Sequence, residues 1–174
     1  HLLFYRFCFP SEENKMNIIG LGNTGCNIAQ EFENYPQYNV FCIDSEQRNC
    51  KNSYLIPKYD HPEKYEANCP DLGPFLNVDG DVMFILGGSG DITGACLRVL
   101  EKIKHCNITI LYIKADQSLL SNTSRLQQRA TFHILQEYAR SGVFKDIFLL
   151  DNTLISAIIG DVPIADYYCS INKT

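Results

Sequence analysis

The chain has 174 residues and a net charge of −5, with 45% hydrophobic and 20% charged residues. It is long enough for one domain that buries about two-thirds of its unfolded surface, and too apolar to be disordered. The acidic balance and the lack of a Lys/Arg cluster argue against a nucleic-acid surface. No apolar run approaches the ~18 residues of a membrane span, so no membrane insertion is expected.

Residues 1–15, "HLLFYRFCFPSEENK", come first. They lack a clean apolar h-region and a small-residue cleavage site, which argues against a signal peptide. Met16 stands directly before the first apolar run, where a start codon would fall. The stretch reads as an N-terminal extension outside the natural domain, or a short arm packed on it, and the domain as residues 16–174.

From there apolar strands alternate with helical patterns. A strand is expected at 17–20, a helix at 26–33, strands at 39–44, 54–57 and 81–86, and a helix at 93–104. A strand at 109–114, a helix at 123–140, a strand at 146–150 and a last helix from about residue 163 follow. This alternation predicts an α/β fold with a mainly parallel sheet. In the helix at 123–140, Leu126, Ala130, Ile134, Leu135 and Tyr138 make one apolar face, and Gly142 stands at its stop. Residues 58–80, with their prolines and charges, form the longest irregular stretch, of the kind that is usually functional or mobile.

Eight cysteines occur, none in a C-x-x-C pair, which disfavours zinc. Several fall on predicted apolar faces and read as reduced thiols of a cytosolic protein, so a cytoplasmic location is expected. His1, His61, His105 and His133 are scattered and suggest no triad or metal cluster.

In parallel sheets, ligands bind beyond the carboxyl ends of the strands. After the first strand this chain places Gly20, Gly22, Asn23, Thr24, Gly25 and Asn27, and after the second Asp44. After the fourth it places a second glycine loop, "GGSGDITG", containing Gly88, Ser89, Gly90, Asp91, Ile92, Thr93 and Gly94. A glycine loop opening a helix aims backbone N–H groups at an anion, typically phosphate. Gly20, Gly22, Gly25 and Asp44 alone fit an NAD(P)-binding oxidoreductase domain, with the acid on the ribose. The second loop is more than that fold requires.

The two loops and their order resemble the tubulin/FtsZ family of GTP-binding, filament-forming proteins. "GLGNTGCNIAQEF" is similar to the family's first phosphate loop, and "GGSGDITGA" to its signature G-G-G-T-G-S/T-G. The match continues through "RLQQRATFHILQEY" and "DIFLLDN" to "YYCSIN", nearly the whole of residues 16–172. The resemblance implies a Rossmann-like three-layer domain that binds GTP or GDP, self-associates into filaments and controls polymerisation by nucleotide. It implies that Asn152 reads guanine, that Tyr168 stacks on the base and that Asn172 pairs with its edge. Arg125, at the start of its helix, would reach phosphate or ribose, with Arg129 the weaker candidate. Each has a plainer use: Asn152 as a cap, Tyr168 as core, the arginines as a solvated face.

The departures carry expectations too. Asp91 and Ile92 replace a threonine and a glycine of the signature. The carboxylate would repel phosphate or hold Mg²⁺, and the Ile92 side chain would obstruct backbone approach. The family completes its GTPase site with an acidic loop from a neighbouring subunit and adds a second domain, both beyond Thr174. Hydrolysis is therefore not expected of this chain alone, and filaments would need the second domain. A tubulin-like structural subunit that has lost its nucleotide is the remaining alternative.

Overall fold

The computed structural model describes residues 15–151. Six strands form one sheet: β1 (Met16–Leu21), β2 (Tyr38–Asp44), β3 (Ser53–Leu55), β4 (Asp81–Gly87), β5 (Asn107–Lys114) and β6 (Asp146–Asp151). Their order is β3-β2-β1-β4-β5-β6, and every neighbouring pair is parallel. Four helices accompany them: α1 (Gly22–Glu31), α2 (Pro62–Ala67), α3 (Cys96–Ile103) and α4 (Asn122–Arg140).

The central strands are buried on both faces, which is why β1 and β4 read as unbroken apolar runs rather than alternating ones. Successive side chains still divide between two layers. Ile18, Met83, Ile85 and Ile113 pack with Cys26, Ile28 and Ala29 of α1 on one face. Ile19, Leu21, Phe84, Leu86, Ile110 and Tyr112 pack with Val99, Leu100 and Ile103 of α3 and Leu135 of α4 on the other. The result is a three-layer α/β domain, as expected.

All six expected strands are present, and three of the expectations between them are corrected. The first helix starts at Gly22, not Cys26, because a left-handed Gly22 (φ +72°) turns the chain directly from strand into helix. The helix expected at 93–104 is split into a 3-10 turn, Asp91–Ala95, and α3. The stretch 58–80 is built into the core: it holds the short α2, and Tyr65, Leu72, Leu76 and Val78 are buried in the larger apolar cluster.

The expected face of α4 is also rotated. Leu126 is 65% exposed and Ala130 lies outside, whereas Gln128, Thr131 and Leu135 face inward. Polar side chains occupy core positions here because each has a partner, which offsets the cost of burying it. Among the described residues the six cysteines are free thiols, with Cys26, Cys42, Cys96 and Cys106 buried. No helix among the described residues is long and apolar enough to cross a membrane.

Candidate functional site

The strand order reverses between β1 and β4, neighbours at the centre of the sheet. A crevice opens at the carboxyl end of a parallel sheet at such a point, because successive crossovers leave in opposite directions. Both glycine turns sit there, one after β1 and one after β4.

The first turn is tight. No residue separates the end of β1 from Gly22, the first residue of α1. Gly25 lies within the first helical turn, and any Cβ on it would collide with the Ile85 carbonyl of β4. Gly20 faces the Gly25 backbone just as closely. These two glycines bring helix and sheet into contact, one of the uses of such motifs. No side chain caps the start of α1, and no acidic residue lies in its first turn. Its leading N–H groups therefore face the crevice without a side-chain acceptor, the arrangement that suits an anion. Asn23 is exposed there, and Thr24 and Asn27 are half-buried.

A residue that local sequence patterns do not reveal holds this corner. Arg48, four positions after Asp44, reaches back over α1. Its Nε donates to Asp44 Oδ2 at 2.7 Å, Nη1 to Asn27 Oδ1 at 2.6 Å and Nη2 to Asn23 Oδ1 at 2.6 Å. Nη2 also lies 2.6 Å from Asp44 Oδ2, and the Arg48 side chain is only 13% exposed. Asp44 is 4% exposed, and its Oδ1 accepts from the Ser45 backbone N–H at 2.8 Å.

The second turn is more closed. Gly87 and Gly88 lead into it, with Gly88 lying beneath the Tyr112 hydroxyl. Ser89 is half-buried, and Gly90 and Asp91 are exposed. Ile92 is 9% exposed and points inward, its Cγ2 against Gly22 of the first turn. The side chain is thus packed against the first turn rather than standing free above the second. Thr93 is buried: its Oγ1 donates to the Gly90 carbonyl at 2.6 Å and accepts from Gln127 Nε2 at 3.1 Å. Gly94 packs against the Pro62 backbone of α2. Thr24 lies across Gly87, so the two turns touch at two places.

The start of α4 braces the second turn. Gln127 also donates to Thr131 Oγ1, and Gln128 Oε1 accepts from the Ala115 N–H at 2.9 Å. Tyr112 donates to the Gln128 carbonyl at 3.1 Å. Burial pushes the Tyr112 phenol well above its usual range and the Cys96 thiol at the start of α3 up to about 12, so both stay neutral. Arg125, by contrast, is exposed, and its Nε donates to the Leu120 carbonyl at 3.2 Å rather than to either turn. Arg129 is exposed as well. Asn152, Tyr168 and Asn172 lie outside the described residues. Among the described residues no three His, Cys, Asp or Glu side chains converge as a metal site.

Comparison of the whole chain with solved structures finds FtsZ. An empty FtsZ dimer from M. jannaschii matches with a TM-score of 0.72 at 13% identity, over 99% of this chain and 54% of that one. A mutant FtsZ of the same organism matches with a TM-score of 0.73, again at 13% identity, over 99% of this chain and 56% of that one. The chain has an FtsZ-like fold. At this identity the likeness is one of fold, and the chain spans about half the length of these FtsZ chains. No family model and no curated protein sequence matches it.

Proposed function

We propose that this chain is a guanine-nucleotide-binding domain of tubulin/FtsZ type, with the polyphosphate of GTP or GDP lying across the two glycine turns. The observation that carries the reading is the pairing of both turns at the β1/β4 reversal, with an uncapped, acid-free helix start on one of them. The base would lie toward the carboxyl end of β6, where Asn152 follows Asp151, with Tyr168 and Asn172 as its further contacts. Asp91 is the acid at the second turn, so a Mg²⁺ there would be held chiefly by phosphate oxygens. The proposal extends to nucleotide-dependent self-association, in keeping with the FtsZ-like fold, and assigns no catalytic residue to this chain.

The strand order is shared with dinucleotide-binding folds, so NAD(P) remains the rival ligand. Asp44 weighs against it. The acid that would hold ribose hydroxyls is buried, and both its oxygens are engaged by Arg48 and the Ser45 N–H.

Thermal melting with GTP, GDP and NAD(H) tests the reading. GTP or GDP at 100-fold above its dissociation constant should stabilise the fold by about 2.7 kcal/mol, and NAD(H) should not. A rise with NAD(H) alone would overturn the assignment. No rise with any nucleotide would leave the structural-subunit alternative.

A further inference from the structure

Arg48 is an arginine whose charge is almost wholly spent inside the protein. A guanidinium offers five N–H donors in a rigid fork, and here that fork spans Asp44, Asn23 and Asn27. Asp44 neutralises it at 2.6 Å, so Arg48 adds little positive potential to the crevice. Its effect is on orientation.

An asparagine amide that meets a guanidinium has to turn its oxygen toward it, because Nδ2 would set donor against donor. Arg48 thereby fixes which way both amides point. Asn27 Nδ2 is turned back toward Asn23 Oδ1 at 3.5 Å. Asn23 Nδ2 is left pointing away from Arg48, on an exposed residue in the first turn of α1, beside Gly22 and Gly25. We infer that Arg48 is a positioning residue for the nucleotide site: through Asn23 it presents an oriented amide donor to a phosphate of the bound nucleotide. This inference rests on the nucleotide-binding reading above.

The test uses binding of GDP and of guanosine, which lacks the phosphates, together with melting of each variant. Asn23→Asp keeps an oxygen for Arg48 but replaces the outward donor with a carboxylate oxygen. It should melt no lower than the unmodified protein, bind GDP at least about tenfold more weakly and bind guanosine unchanged. Arg48→Ala should also lose about tenfold for GDP and little for guanosine. Arg48→Lys should behave like the alanine variant, because one ammonium cannot face Asp44, Asn23 and Asn27 together. If Arg48→Ala fails to fold, Arg48→Lys carries the test, because Asn23→Asp also sets a repulsive carboxylate beside the phosphate.

Wild-type GDP affinity in Asn23→Asp or in a folded Arg48→Ala would overturn the positioning role. So would full rescue by Arg48→Lys, which would make Arg48 a charge. An equal loss of GDP and guanosine would make the fork a staple of the fold and overturn it too. An unmodified protein that binds neither GDP nor guanosine would remove the nucleotide reading and this inference together, an outcome distinct from all the others.

Discussion

The two glycine turns share a sheet edge but are built for different tolerances. The first has no side-chain cap and no acid, and its asparagines are oriented from outside by Arg48. The second carries Asp91 and is tied to itself by Thr93 and to α4 by Gln127. In the first, glycines let the helix lie against the strand. In the second, Gly88 and Gly94 admit Tyr112 and α2, and only Gly90 stands in the open. Glycine spacing alone does not distinguish these uses; what crowds each Cα does.

Gly25→Ala should break the comparison at its most crowded point. Its Cβ would run into the Ile85 carbonyl in the middle of the sheet, where neither backbone can yield. The loss should be about 3 kcal/mol or more, read as a lower urea midpoint, or no folded protein. A variant with an unshifted midpoint would mean that α1 does not cross β4 this closely.

Ile92→Ala probes the contact between the turns. Removing this buried side chain should cost about 2–4 kcal/mol, because its contacts with the core and Gly22 are lost. Amide exchange at residues 23–25 should speed up along with exchange in the second turn. Faster exchange in the second turn alone would show that the two turns are mechanically independent.

Gly90→Ala is the smallest change. Gly90 has φ −84° and ψ 147°, open to any residue, and the nearest side-chain atom to its Cβ position lies 4.0 Å away. The substitution should raise stability by about 0.4–1 kcal/mol by restricting the unfolded chain. If phosphate rests on this turn, the added methyl should also weaken GDP several-fold. Unchanged GDP affinity would confine the phosphate to the first turn.

The sheet was legible because each central strand is an apolar run bounded by turn residues, and both glycine turns could be placed from their helices. The strand order could not be read, since parallel neighbours are chosen by crossovers and leave no local mark. The apolar stripe of α4 does not mark its buried face, for a physical reason: Gln128 and Thr131 are buried with their polar atoms satisfied, while Leu126 stays in solvent. Residues 58–80 hid their core role because Leu72, Leu76 and Val78 are interspersed with prolines and charges. Arg48 leaves no local signature because its asparagine partners lie 21 and 25 positions upstream. A buried acid at a strand end with an arginine four residues on was the only trace.

β3 contributes three residues at one edge of the sheet and pairs with β2 only from Cys42 to Asp44. An edge of that length offers an incoming strand too few backbone partners for a ladder to hold. Sheet-to-sheet growth, the route by which open parallel sheets aggregate, is blunted on this side by brevity. On this side, copies of this chain that assemble in an orderly way would have to meet through helix and turn surfaces instead, where side chains rather than backbone choose the partner.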